Sequence, residues 1–247
     1  MLLPKNSFIR NPPIYIDPKQ VVTYNAIRYC IDICDISINR LIKNLSELTE
    51  KSDVEPYDFP CILADIWTII NNSYMFGKII SNELNIKFGD YKFLELNKIK
   101  DLRDSNQHLD ERISQTLSSD DVPIYGFLSW RKIYPKTNHF IFSAIYSGSF
   151  TNKKELNMSI KNISYKDPDK IIQMIEFTNV IREKKNGVTT FVEKSISISK
   201  LISDLIDGIN ILDKQISEFL KDKEISELHK SDFKIRIKGI LVLSEKL

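Results

Sequence analysis

Residues 123–150, PIYGFLSWRKIYPKTNHFIFSAIYSGSF, decide the fold class because they break a pattern that is helical on both sides. Two runs rich in β-branched and aromatic residues flank PKTN, a stretch suited to a turn. We therefore predict two antiparallel strands here. A third strand over ELNMSIKNIS (155–164) would complete an antiparallel meander from about 122 to 164.

A second hairpin is predicted further along the chain. The runs IIQMIEFTNVI (171–181) and VTTFVEKSISI (188–198) flank REKKNG, which suits a turn. The first run has an alternative interpretation as a helix that Asp167 and Pro168 would open.

Helical periodicity surrounds this β-rich region. Apolar residues recur at intervals of three and four from about 19 to 50, 61 to 84 and 91 to 117, and again from Ser199 onward. Asp90 and Ser199 are suitable N-cap residues for the third and fourth helices.

The predicted fold class is α+β. Residues 18–118 and 199–226 would form a bundle of about four long helices, and the antiparallel β-rich region at 119–198 would be inserted between the third and fourth. Residues 1–17 contain three prolines and directly precede a fourth, so we expect an extended arm there. The C-terminal segment, 227–247, is ambiguous between strand and helix.

Several functional classes lack their usual motifs. The chain contains no glycine-rich phosphate loop, no GxSxG and no HExxH, and its three cysteines have no neighbouring pair that would complete a zinc site. We expect neither a cofactor nor a metal. No secretory signal pattern begins the chain, and polar residues interrupt its most apolar run, so we expect a soluble cytoplasmic protein with no membrane partner. A net charge of +2 does not by itself indicate a nucleic-acid binder.

The stretch KIKDLRDSNQHLDERIS (98–114) carries the candidate site. On a helical wheel its apolar residues form a stripe that would face the core, while Arg103, Asp104, Gln107 and His108 share one polar face. The simplest interpretation is a solvated surface, since side-chain pairs at this spacing are worth only a few tenths of a kcal/mol.

A second interpretation comes from the motif RDSNQH (103–108), which has the form Arg-x4-His. It resembles the Rx4–6H motif of the HEPN superfamily, all-helical domains found in many prokaryotic ribonuclease toxins and defence proteins. The resemblance covers the motif and, loosely, the helices at 19–117 and 199–224, but not the sheet. It implies a HEPN-like bundle and metal-independent cleavage of RNA.

The resemblance implies that His108 would be the general acid or base and that Arg103 would bind the phosphate. Asp104 would orient the imidazole of His108. Two copies of the motif would face each other across a homodimer, and a cognate antitoxin would be a further partner. Gln107 would help to position RNA from the same helix face. Arg131 and Lys132, interleaved with aromatic residues in WRKIYPK, would assist in binding a single strand.

Two other functions stay open. A non-catalytic HEPN-like dimer could bind RNA, a nucleotide or a partner protein through the same polar face. Alternatively, the chain could bind a small molecule in a pocket of the sheet region lined by Trp130, Tyr146 and Phe191, with the motif occurring by chance.

Overall fold

The structure, a computed structural model, describes most of the chain as four helices and a four-stranded antiparallel sheet. The predicted α+β class is therefore confirmed. None of the described helices combines the length and apolarity needed to cross a bilayer. The described residues are 1–51, 58–84, 93–108, 110, 113, 123–136, 139–147, 172–185, 187–221 and 232.

Helices α1 (Pro18–Glu50) and α2 (Asp58–Glu83) pack against each other along their lengths. Helix α1 begins at Pro18 because proline suits the first helical position. The carboxylate of Asp17 also accepts a hydrogen bond from the backbone N–H of Lys19 at 2.8 Å.

Helix α3 (Leu94–Gln107) lies against α2, and its C-cap is His108. The predicted N-cap, Asp90, lies outside the described residues, as does most of the predicted continuation to 117. Helix α4 (Ile198–Leu220) begins two residues earlier than predicted. Its N-cap is Ser197, whose hydroxyl accepts a hydrogen bond from the N–H of Lys200, so the assignment of Ser199 as the cap was wrong.

The sheet contains β1 (Phe127–Tyr134), β2 (His139–Tyr146), β3 (Ile172–Lys185) and β4 (Val188–Ser197). Both predicted hairpins are present, and the helical alternative for 171–181 was wrong over the described part of that run. The spatial order is β2-β1-β3-β4, because β3 pairs with the free edge of β1. The described strands therefore do not follow a simple meander, and the predicted strand at 155–164 lies outside the described residues.

The core lies between the helices and one face of the sheet. Leu128, Trp130, Phe177 and Ile196 project from the strands into it and are almost completely buried. Trp67 of α2 meets the ring of Phe177 edge-on, with the ring centroids 5.1 Å apart. The side chain of Trp67 is itself buried in this core.

Residues 1–17 differ from the predicted extended arm. They form a series of turns, and the side chains of Leu3, Ile9 and Ile16 belong to the core. The hydroxyl of Ser7 donates a 2.7 Å hydrogen bond to Asp213 of α4, which ties the segment to the helices. The prolines disfavour a helix here. The apolar residues between them are nevertheless removed from water by packing on the core, and this burial stabilises the folded segment more than an extended arm in solvent would.

Candidate nucleic-acid interface

Helix α3 divides its residues between the core and the surface. Leu96, Ile99 and Leu102 are buried, and the intervening positions project outward. The hydroxyl of Ser105 donates a 2.7 Å hydrogen bond to the carbonyl of Val180, which fixes the last turn of α3 against strand β3. The helix is thus held along its whole described length, and the orientation of its outer face is defined.

Arg103 lies on that outer face but does not extend freely into solvent. Its guanidinium carbon is 5.0 Å from the centroid of the Tyr74 ring on α2, and Nη1 donates a 3.0 Å hydrogen bond to Asp104. The Arg103 side chain keeps 27% of its surface exposed. Stacking on an aromatic ring orients the fork while leaving other N–H groups for a ligand.

Asp104 thus contacts Arg103, and its predicted role in orienting the imidazole of His108 stays a prediction. His108, the C-cap of α3, is exposed and comes five residues after Arg103. Five residues of ideal helix correspond to roughly 7.5 Å along the axis and about 140° of rotation. Gln107 is exposed beside His108 at the end of the helix. The two motif residues thus lie in the C-terminal part of α3, Arg103 within the helix and His108 at its cap.

A groove of about 280 Å³ lies between α2 and α3. Tyr74 lines this groove and also contacts Arg103. The ammonium of Lys78 is 6.0 Å from the centroid of the same ring. Lys100 lines the groove from α3. The other lining residues are small, polar or aliphatic: Ser73, Gly77, Ser81, Asn82, Leu96 and Asn97.

The electrostatics of this groove favour an anion. None of the groove's described lining residues is acidic, and neither Lys78 nor Lys100 forms an ion pair with another described residue. Two acids near the motif are already paired, Asp101 with Lys194 of β4 and Asp104 with Arg103. The arrangement can hold a phosphate or another anion between two lysines, with an arginine stacked on the neighbouring Tyr74.

Sequence reasoning missed the residues of this groove. Tyr74, Lys78 and Asn82 repeat every four residues on α2, and Asn97, Lys100 and Arg103 repeat every three on α3, so each set forms a ridge along its helix. This spacing was visible in the sequence. What it did not show is that the two ridges face each other.

Lys132 does not belong to a nucleic-acid site. Its side chain is buried against the C-terminal turn of α1, where Nζ donates a 3.0 Å hydrogen bond to the carbonyl of Ser46 and pairs with Glu50 at 2.6 Å. Tyr134 also donates to Glu50, and together the two contacts hold the pKa of that carboxyl below its usual range. The prediction for Lys132 was wrong because alternate residues of β1 face the helices, and this cation bonds one carbonyl and one carboxylate near the end of α1.

Arg131 points to the opposite face of β1. Its guanidinium carbon is 5.4 Å from the ring centroid of Phe140 and 5.9 Å from that of Phe142. Nη1 also lies 3.1 Å from the sulfur of Met174. Its predicted part in RNA binding stays a prediction, and it does not line the α2–α3 groove.

The alternative pocket in the sheet is not formed. Trp130 faces the core and donates a 2.9 Å hydrogen bond to the hydroxyl of Thr49. Tyr146 pairs with Phe127 and Phe191 pairs with Arg182, and these register positions belong to the other face of the sheet. The three aromatic residues therefore cannot line one pocket.

Comparisons with protein-family models, curated proteins and solved structures yield no match for this chain. We therefore classify the protein from its own geometry. It is an α+β protein with a cationic groove between α2 and α3, and an Arg-x4-His motif lies at the C-terminal end of α3.

Proposed function

We propose that this protein is a metal-independent endoribonuclease that binds RNA along the α2–α3 groove. The observation that carries the proposal is the stacking of Arg103 on Tyr74, a residue that lines a groove together with Lys78 and Lys100. Three cations on two adjacent helices suit a chain of phosphates, whose binding depends mainly on charge. The resemblance of RDSNQH to the HEPN motif supports cleavage as well as binding.

The proposed chemistry uses the nucleophile that RNA itself carries. His108 takes the proton of a ribose 2′-hydroxyl, and the oxygen attacks the adjacent phosphorus. Arg103 binds the non-bridging phosphate oxygens and stabilises the charge that develops on them. The 5′-oxygen leaves with a proton from a general acid, so the products are a 2′,3′-cyclic phosphate and a 5′-hydroxyl.

The resemblance also implies the partners. A homodimer would bring a second motif, and therefore a second histidine, to the same RNA as the complementary acid or base. A cognate antitoxin would restrain the activity in a cytoplasmic toxin or defence protein. These partners are part of the proposal and are tested separately from the chemistry.

The test uses purified wild type and the variants Arg103→Ala, His108→Ala and Lys78→Ala, each incubated with mixed cellular RNA in EDTA. Lys214→Ala is the matched control, since Lys214 is an exposed lysine on α4 that only approaches Glu218 at 3.9 Å. We expect wild type and the control to produce cyclic-phosphate ends. Loss of His108 should slow cleavage by about 10²–10⁴-fold, the usual contribution of general acid–base catalysis.

Lys78→Ala should mainly weaken RNA binding, measured by fluorescence anisotropy, and it should flatten the dependence of affinity on salt concentration. Cleavage that persists in His108→Ala at the wild-type rate would refute the proposed chemistry. Unchanged affinity in both Lys78→Ala and Arg103→Ala would refute the groove as the binding site.

A non-catalytic role is the second candidate, and one contact favours it. Arg103 already donates to Asp104, so part of its hydrogen-bonding capacity is used within the chain. In a protein that only binds RNA, a nucleotide or a partner protein, the N–H groups of Arg103 that remain available would be sufficient. Salt-sensitive binding that depends on Lys78 and Lys100, without cleavage by any variant, would establish this alternative.

A further inference from the structure

Helix α1 has a second apolar face that points away from the core. Val22, Ala26, Tyr29, Ile33 and Ile36 follow one another at intervals of four, three, four and three residues, and all are exposed. We call this row the outer stripe. Exposure reaches 68% at Val22, 54% at Tyr29 and 61% at Ile36. This spacing forms one continuous ridge, which is typical of a helix face covered by another segment.

At Tyr29 the outer stripe meets Asp232, a residue from a distant part of the chain. Arg28, next to Tyr29, has a side chain only 6% exposed, and its guanidinium binds both carboxylate oxygens of Asp232. The distances are 2.5 Å from Nη1 to Oδ2 and 2.7 Å from Nη2 to Oδ1. The hydroxyl of Tyr29 donates to Oδ1 of the same carboxylate at 2.8 Å.

This contact has the features of an anchor. A buried guanidinium requires a carboxylate partner, and the nearest alternative, Asp32, is already bound in two places by Arg10. Hydrogen bonds from Arg28, and to a smaller extent from Tyr29, hold the pKa of Asp232 below its usual range, so the carboxylate stays charged. Residue 232 is therefore fixed beside the centre of the outer stripe.

Fifteen residues follow the anchor, FKIRIKGILVLSEKL (233–247), and they lie outside the described residues. Their composition suits an apolar surface, because Phe233, Ile235 and Ile237 alternate with cations and the run ILVL follows. From Tyr29 to either Val22 or Ile36 the helix rises only about 10 Å. Fifteen residues can span up to about 50 Å, so the segment reaches both ends of the stripe.

We infer that the outer stripe of α1 is the docking site for the chain's own C-terminal segment, residues 233–247, and that Asp232 anchors it. A second copy of the chain is a weaker occupant, because a helix–helix contact centred on Tyr29 would compete with the hydroxyl bond to Asp232. The inference is independent of the proposed ribonuclease activity.

The test is site-specific photocrosslinking in the full chain. We would place p-benzoylphenylalanine at Ile36, in the stripe, or at Val188, an exposed apolar residue at the β3–β4 turn that serves as the matched control. Irradiation at low protein concentration followed by peptide mapping identifies the partner. We expect a crosslink within one chain from position 36 to residues 233–247, at least tenfold stronger than from position 188.

Two variants make the result decisive. Asp232→Ala should reduce the crosslink several-fold. Because that change leaves Arg28 buried without its carboxylate, the variant could fail to fold, and circular dichroism checks this. The double variant Ile235→Asp, Ile237→Asp leaves the anchor intact and should also abolish the crosslink. A covalent dimer from position 36, or products that contain no peptide from 233–247, would overturn the inference.

Discussion

At the scale of single residues, the two partners of the ion pair between Arg40 and Asp65 differ greatly in burial. Asp65 on α2 is completely buried, while the side chain of Arg40 on α1 is 57% exposed. The Nε of Arg40 lies 2.9 and 3.0 Å from the two carboxylate oxygens. The arginine can return to water if the pair is broken, but the carboxylate cannot.

We therefore expect Arg40→Gln to destabilise the protein more than Asp65→Asn does. Removing the cation leaves a buried charge without its partner, which costs roughly 2 kcal/mol or more. Removing the negative charge leaves a neutral amide of the same shape and an arginine that water can solvate. Urea denaturation of both variants measures the two losses, and equal losses would contradict this account.

Residue identity alone was a poor guide to the candidate site. Arg103 was predicted from its motif, and it stacks on the ring of Tyr74, which also lines a cationic groove. Lys132 had equally suitable chemistry in the sequence, yet its ammonium serves the end of α1. The difference lies in what each side chain faces, which a residue's type does not specify.

At the scale of secondary-structure elements, the start of α3 depends on a residue from another helix. Its N-cap, Phe93, has no side chain that can accept a hydrogen bond. Asp204 of α4 supplies the acceptor, with Oδ2 lying 2.8 Å from the N–H of Glu95 and 3.1 Å from that of Leu96. A negative charge here also suits the positive end of the helix dipole.

Burial nevertheless raises the pKa of Asp204 above its ordinary value of 3.8. A raised pKa means that the folded protein binds this proton more tightly than the unfolded chain does. The contribution of Asp204 to stability therefore falls as pH rises from about 3.8 through the raised value. Below that window the group makes no pH-dependent difference.

Asp204→Asn tests this dependence, because asparagine accepts the same cap hydrogen bonds without titrating. We expect the stability of the variant, measured relative to wild type by denaturation at a series of pH values, to increase as pH rises through the window. Glu218→Gln on the same helix is the control, since the Glu218 side chain is 66% exposed. A relative stability that decreases with pH would show that the dipole and the N–H groups outweigh burial.

At the scale of the whole molecule, the packing of the Phe76 side chain from α2 against α4 depends on Gly208. A β-carbon at this position would lie 2.8 Å from Cζ and 3.0 Å from Cε1 of Phe76, whose side chain is fully buried. The ring of Phe93 is 3.8 Å away on the other side. The absence of a side chain at 208 therefore lets α4 approach the layer formed by α2 and the start of α3.

Gly208→Ala should destabilise the protein by about 1–2 kcal/mol. Overpacking a core costs roughly 1–3 kcal/mol, and the better helix propensity of alanine returns only up to about 1 kcal/mol. Thermal denaturation measures the change. Asp207→Ala, one residue away and exposed, is expected to have little effect. Stabilisation by Gly208→Ala would mean that Phe76 has room to move.

The sequence by itself determined the elements of this protein. Helices α1 and α2 and both hairpins follow from periodicity and turn residues, which act over a few neighbouring positions. Their bounds were within a few residues of those observed, and the α+β class followed from them. A cap such as Ser197 was missed by two residues because Ser199 offers the same hydroxyl.

Only the tertiary structure decided how these elements combine. The pairing of β1 with β3, the cap that Asp204 provides 109 residues from Glu95, and the bond from Lys132 to Ser46 across 86 residues leave no local pattern. The facing ridges of α2 and α3 that form the cationic groove are of the same kind. Such contacts depend on how whole faces of helices and sheets pack together. The sequence offers several side chains of equivalent chemistry for each contact, and the packing determines which of them lies close enough to form it.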